Sequence, residues 1–277
     1  MTVTADTNQH YDLDPEIFGQ FLDPLRKYSS ALYENEGDSL ELAQRNKLRF
    51  VARRLGIQGG ERLLDIGCGW GSLILFMAQE YGCETLGISP APRQHDYIAA
   101  QAQARGVERQ VHTRVGHFEQ LDLPAGSVDA VTMLGSIVHM PDLDEVFRRA
   151  RAVLRRGGTL YVSESCFRNA AARRAFDERA GTEFVRSDIF GWGDLRPLSE
   201  LITAAEDAGF TITSVDDLTD HYRRTIEDWI ANVDAAADAI DERQPGLAGK
   251  LRYYLEVANA GWGYTTKHYA LGCRRAR

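Results

Sequence analysis

Long apolar runs are missing from this sequence: nowhere in its 277 residues is there anything near the roughly 18 consecutive apolar residues that a membrane-crossing helix needs. Integral membrane association is therefore not expected. Cysteine is scarce and dispersed, at Cys68, Cys83, Cys166 and Cys273, with no CxxC pair. That spacing excludes a disulfide framework and offers no metal site, so the thiols read as reduced, mostly buried small hydrophobes. Basic charge is in deficit, with 32 Lys and Arg against 40 Asp and Glu and a net charge of -8. Such a balance does not attract nucleic acid and favours a small, neutral or locally steered ligand. The basic-then-apolar layout of an export signal is missing from Met1-Thr2-Val3-Thr4-Ala5-Asp6, so a cytoplasmic protein is expected. What remains, 44% hydrophobic and 26% charged, describes one large globular domain or two small ones.

Periodicity organises the chain. From Leu40 to Leu55, the residues Leu40, Ala43, Lys47, Phe50, Val51 and Leu55 recur at three- and four-residue intervals, predicting an amphipathic helix ended by Gly56. Short apolar runs then alternate with helical segments: strand Leu63–Ile66, helix Ser72–Tyr81, strand Glu84–Ile88, helix Arg93–Arg105, strand Val111–Val115, strand Ser127–Leu134, helix Leu143–Leu154 and strand Thr159–Ser163. This order demands a parallel sheet with helices on both faces. Beyond Ser163 the regularity stops until helix Leu198–Ala208 and strand Phe210–Val215, and the intervening stretch is expected to form a lid. Helices are predicted over Tyr222–Ala239 and Leu247–Ala258, then a final antiparallel strand near His268–Cys273 at the far side of the sheet.

The segment Leu64-Asp65-Ile66-Gly67-Cys68-Gly69-Trp70-Gly71 stands where the first strand meets a helix. Glycines there let a ligand approach the backbone and its bare N–H groups. A dinucleotide site needs G-x-G-x-x-G and a carboxylate at the end of the second strand. Here the spacing is G-x-G-x-G and that strand ends Gly87-Ile88-Ser89, while no Gly-Lys-Ser/Thr follows to make a P-loop. The pattern resembles the motif of class I S-adenosylmethionine-dependent methyltransferases. The resemblance implies an α/β, Rossmann-like fold: a seven-stranded, mostly parallel sheet whose last strand is antiparallel, with a helical cover. It also implies that Gly67 and Gly69 admit the methionine end of the cofactor beside Asp65.

The flanks narrow the resemblance. His10-Tyr11-Asp12-Leu13, Phe21-Leu22-Asp23-Pro24, Tyr28-Ser29-Ser30-Ala31 and Ser39-Leu40-Glu41-Leu42-Ala43-Gln44 with Lys47 look like the N-terminal half of the cyclopropane fatty acid synthase and mycolic acid cyclopropane synthase family. His221-Tyr222, Thr225 and Trp229 match that family's later segment, so the resemblance covers nearly the whole chain. It implies one methyltransferase domain over 1–277, with a helical cofactor lid (1–60), an S-adenosylmethionine-binding core (61–163) and a substrate cover (164–197 and 218–262). It implies that Tyr28 and Ser29 cover the methionine moiety and that Ser89 and Gln94 take the ribose. Adenine is expected against His117 and Phe118, with a plain surface role the alternative for His117.

Departures from the family matter for the chemistry. Its cyclopropanating members bind bicarbonate through a cysteine, a glutamate, histidines and a tyrosine. In this sequence the cysteine is Ser30, the glutamate is Val138 and a histidine is Ser163, while His10, His139 and Tyr222 keep their family type. An anion without those partners is costly to hold in a dry site, so cyclopropane formation is not expected. Catalytic candidates are His139, as a base or as a cap of the turn at Pro141, together with Glu164, Tyr222 and His10. Phe167, Trp192, Trp229, Trp262, Tyr264 and Tyr269 are candidates for an apolar pocket wall or plain core. The expected reaction is methyl transfer to O, N or C of a small-molecule or acyl-chain acceptor. The alternatives are cyclopropane synthesis on unsaturated acyl lipids and cofactor binding without catalysis. Nucleic acid is disfavoured as a substrate because no adjacent prolines form a base-flipping loop, and the oligomeric state stays open.

Overall fold

Strand β1 (Arg62–Ile66) is built from residues apolar on both faces, as a strand in the middle of a parallel sheet requires. It pairs in parallel with β2 (Glu84–Ser89) on one side and β4 (Val128–Leu134) on the other. Strand β3 (Val111–Val115) extends the sheet beyond β2, and β5 (Leu154–Phe167) extends it beyond β4. The chain's last strand, β7 (Thr266–Arg275), inserts antiparallel between β5 and β6 (Phe210–Asp217), giving the order β3-β2-β1-β4-β5-β7-β6. The far-side position expected for β7 is thus corrected. Ala270 and Leu271 are both fully buried, the two-faced burial of an internal strand. The structure is a computed structural model that describes residues 15–178 and 193–276.

The helices are α1 (Pro15–Phe21), α2 (Leu40–Leu55), α3 (Ser72–Tyr81), α4 (Pro92–Ala104), α5 (Leu143–Val153), α6 (Ala170–Asp177), α7 (Leu198–Asp207), α8 (Thr219–Ala235), α9 (Ala237–Arg243) and α10 (Leu247–Ala260). Helix α2 has the bounds its periodicity predicts. The Ser39 side chain accepts from the Leu42 N–H at its start, and Gly56, at φ 72°, closes its end in the left-handed region.

Two elements differ from expectation. β5 runs on through Glu164-Ser165-Cys166-Phe167 because β7 pairs residue by residue with that segment. The helix predicted over Tyr222–Ala239 breaks at Ala236, where the backbone leaves helical geometry and Ile240 turns into the core.

Each face of the sheet carries its own core. On one face Leu64, Ile66, Val131, Met133, Leu160, Val162 and Leu271 pack against α5 and α7. On the other, Leu63, Ala130, Tyr161 and Ala270 pack against α2 and α3. A third cluster joins α1 to α8, α9 and α10 through Phe18, Phe21, Trp229, Val233, Ile240 and Leu255, and Trp70 of the glycine loop belongs to it. The N-terminal helix and the C-terminal helices therefore form one cover over the ends of the strands.

Phe147 of α5 is fully buried and meets Phe210 edge-on, with ring centroids 6.4 Å apart. Phe147→Ala is expected to lower unfolding free energy by about 3–5 kcal/mol in urea titrations, leaving the denaturant slope unchanged.

Candidate active site

The glycine loop leaves β1 with Gly67 at φ 80° and Gly69 at φ 53°. Gly67 has no room for a side chain, since a Cβ there would stand 2.3 Å from the Cβ of Ser136, whose hydroxyl is bonded to the Ile66 carbonyl. Gly69 differs: a Cβ would meet nothing within 4 Å, so open space lies above it. The loop ends at the N-terminus of α3, where backbone N–H groups carry partial positive charge.

Asp65, at the end of β1, is buried and accepts a 2.7 Å hydrogen bond from the Thr132 hydroxyl of β4. Burial raises its pKa, and the charge of Lys27 pulls it back down. The loop carrying Lys27 is held by Asp23, whose carboxylate accepts from the N–H groups of Leu25 (3.0 Å) and Lys27 (2.8 Å). Arg26 sits there at φ 52°, in the left-handed region, with its guanidinium 4.4 Å from the Tyr97 ring centre. The next two residues are Tyr28 and Ser29. The Tyr28 ring centre lies 5.1 Å from that of Trp229, the planes tilted by 38°, and the Ser29 hydroxyl is buried without a hydrogen-bond partner among the described residues.

The residues expected at the ribose do meet. The Ser89 hydroxyl donates to the Gln94 side chain, both buried at the end of β2 and the start of α4, and His95 Nε2 lies 2.9 Å from the Ser89 carbonyl. Of the pair expected at the adenine, His117 is exposed, whereas Phe118 is buried in the core with the Arg149 guanidinium over its ring.

A second polar group lies further along the same sheet face. Ser163 of β5 receives a 3.2 Å hydrogen bond from Lys47 Nζ of α2 and sits 2.9 Å from His268 Nε2 of β7. Tyr222 of α8 lies over this group, its ring 4.7 Å from His268, 5.0 Å from Trp262 and 6.0 Å from Trp229. Lys47 and His268 were not singled out for chemistry by sequence reasoning. The available signal was a lysine on the apolar stripe of α2.

Glu164 faces the other way, as strand alternation requires. Its carboxylate accepts from the N–H groups of Ser165 (2.8 Å) and Val138 (3.3 Å), beside a cavity of about 10 Å³ lined by Leu143, Cys166 and Leu201. That volume holds at most one water. Glu164 thus braces the turn Ile137–His139, on which His139 is half-buried. His10 and Trp192 lie outside the described residues.

The chemistry of these residues is compatible with an S-adenosyl group: there is open space over Gly69, the buried Asp65 carboxyl stands on the strand before it, and the buried Ser29 hydroxyl has no partner among the described residues. Fold and loop together define a class I S-adenosylmethionine-dependent methyltransferase. A family model described as mycolic acid cyclopropane synthetase matches residues 2–268, and the chain belongs to that family. It is 28% identical over 254 residues, 88% of each chain, to the S-adenosylmethionine-dependent methyltransferase UmaA of Mycobacterium tuberculosis. Cyclopropane mycolic acid synthase 1 of the same organism is 28% identical over 239 residues, 83% of this chain and 82% of that one. In fold the chain matches mycolic acid cyclopropane synthase CmaA1 complexed with SAH and CTAB, with TM-score 0.87 and 24% identity over 99% of this chain and 98% of that one. No helix among the described residues is long and apolar enough to cross a membrane.

Two outcomes are expected. Gly69→Ala should leave the fold nearly as stable, at a backbone cost of about 1–2 kcal/mol, yet weaken S-adenosylhomocysteine binding at least about tenfold in calorimetry, a change of roughly 1.4 kcal/mol. Burial pushes Glu164 up from 4.5 to about 7. A raised acid favours the folded state fully below its unfolded pKa, and that contribution is lost as pH rises through the folded value. The urea midpoint of Glu164→Gln relative to the unmodified protein should therefore rise from pH 5 to pH 8.

Proposed function

We propose that this methyltransferase acts on a discrete small-molecule or acyl-chain acceptor, through O, N or C, and stops at the methylated product without closing a cyclopropane ring. The observation that carries this reading is the identity of three side chains, one in the loop before α2, one in the turn after β4 and one on β5. Ser30, Val138 and Ser163 stand where the cyclopropanating pattern has a cysteine, a glutamate and a histidine. Ser30 is fully buried with its hydroxyl turned to the Ala31 carbonyl. Glu164, the nearest carboxylate in sequence, is on the opposite face and engaged with Val138 N–H. A bicarbonate ion would find few of its partners here and would be expensive to desolvate.

S-adenosylmethionine, when bound, supplies an activated methyl group on a positively charged sulfur. The chain's own residues do the rest. Gly67, Gly69, Asp65 and Ser29 hold the cofactor's methionine end, and Ser89 with Gln94 meet its ribose. Tyr28, Trp229, Tyr222 and Trp262 exclude water and align the acceptor with the methyl group, which is the principal requirement of an in-line transfer. The cover made by α1 and α8–α10 acts as lid and substrate wall. His139, on the turn braced by Glu164, stands at the carboxyl end of β4, where ligands of such sheets collect. The four free, buried thiols support a reducing, cytoplasmic setting.

Family membership favours one second reading, cyclopropane synthesis on unsaturated acyl lipids. The test is incubation with methyl-labelled cofactor and a panel of dioleoylphosphatidylglycerol vesicles, oleate, sarcosine, tetrahydroisoquinoline and catechol, with and without added bicarbonate. Mass spectrometry and NMR are expected to show a methylated product from a discrete acceptor, formed at the same rate in both conditions. Cyclopropane resonances in a bicarbonate-dependent product would overturn the proposal. S-adenosylhomocysteine binding with no turnover on any acceptor would favour a non-catalytic role.

A further inference from the structure

We propose that Lys47, Ser163 and His268 form a proton relay that takes up the proton displaced from the acceptor during methyl transfer, an inference that rests on the methyltransferase reading above. The three side chains come from three elements, α2, β5 and β7, and each is at most 2% exposed. They form a chain with one direction: Lys47 Nζ donates to Ser163 Oγ at 3.2 Å, and that hydroxyl lies 2.9 Å from His268 Nε2. The other imidazole nitrogen, Nδ1, is 3.3 Å from Ser165 Oγ. An Nδ1–H directed at Ser165 leaves Nε2 as the acceptor of the Ser163 proton. The backbone N–H of His268 is bonded to Thr219 at 3.0 Å, which fixes the strand beneath the ring.

Lys47 makes no ion pair among the described residues, although a buried ammonium ordinarily demands one. The groups around it explain why. From the loop before α2, Lys27 adds like charge. From β6, the Asp216 carboxylate is engaged by Arg54, and Asp217 by Lys267 and Thr219. From β5 comes the Tyr161 ring, 5.9 Å from Nζ, and from α8 come His221 and Tyr222. Burial, with a smaller contribution from Lys27, pushes Lys47 down to about 7, and burial with the Lys47 charge pushes His268 well below its usual range. Two basic nitrogens joined by one hydroxyl thus compete for a proton, and burial disfavours both carrying one.

The group lies one strand beyond β4, whose last residue Leu134 pairs with Ser163 and leads directly into Gly135 and Ser136 beneath the cofactor loop. In the transfer step the bond between sulfur and methyl breaks, sulfur keeps its electron pair, and the acceptor's lone pair forms the new bond to carbon. The acceptor's proton passes to Ser163 Oγ as the serine's own proton moves to His268 Nε2, or to the Lys47 amine when that is neutral. The electron pair of the acceptor's broken bond to hydrogen stays on the methylated atom.

The test has two arms on the full chain. In the first, side-chain NMR of 15N-histidine and 13C-lysine protein follows His268 and Lys47 against pH. Lys47 is expected to titrate near neutrality, Lys47→Met to raise the apparent pKa of His268 by about one unit, and Ser163→Ala to alter its tautomer balance. A Lys47 that titrates at the ordinary value of 10.5, or a His268 indifferent to both substitutions, would overturn the relay. In the second arm, His268→Asn is expected to keep S-adenosylhomocysteine affinity within about twofold while kcat on the acceptor found in the panel falls at least about tenfold and its pH profile changes shape. Full kcat with an unchanged profile would also overturn it. Failure of the unmodified protein to bind S-adenosylhomocysteine counts against the methyltransferase reading instead. If the panel yields no acceptor, the NMR arm decides alone.

Discussion

The hydrogen bond from Thr132 to Asp65 joins β4 to the end of β1 directly below the glycine loop, with Lys27 beside the carboxylate. Most of the molecule's functional geometry depends on that buried junction. It puts a carboxyl group at the place where the backbone is opened by Gly67 and Gly69, and it recruits the Asp23–Lys27 loop, which carries Tyr28 and Ser29 immediately behind it. The left-handed Arg26 is tolerated because Asp23 bonds the N–H groups on either side of it and its guanidinium has two aromatic rings to lie against. Electrostatics on the sheet and the position of the lid are in this sense one arrangement.

That arrangement continues sideways. Asp65, Thr132, Ser163 and His268 stand on neighbouring strands β1, β4, β5 and β7, all on the face that α2 covers. Below this polar row the same face is apolar, filled by Leu63, Ala130, Tyr161 and Ala270 against α2 and α3. The hydrophobic layer supplies rigidity, and the polar layer above it is kept dry by the aromatic cover. Burial shifts the proton affinity of Lys47 and Glu164, which lie against opposite faces of β5.

Much of the fold was legible because periodicity and caps agree. Ser39 and Gly56 bracket the apolar stripe of α2, and the glycine loop announces both the turn and the ligand. The far half of β5 was not legible, since Ser163-Glu164-Ser165 has the polarity of a loop, and only its pairing with β7 makes it a strand. The break at Ala236 was hidden inside an alanine run that has no local reason to stop. Among the candidate site residues, Asp65, Ser89, Gln94 and Tyr222 were reachable from motif and topology. His268 was not, because its proposed role comes from a contact with Ser163 across 105 residues of chain, which no local pattern encodes. Lys47 was visible on the stripe of its helix, but its meaning depends on the carboxylates nearby being engaged elsewhere.

The insertion of β7 between β5 and β6 has a consequence for how the enzyme comes into being. Among the described residues β6 bonds to β7 and to no other strand of the sheet, so while the chain is being made it waits, with an unpaired edge, until the residues after Gly263 arrive. The same late strand delivers His268. Pairing of β6 into the sheet and placement of His268 therefore depend on one and the same strand.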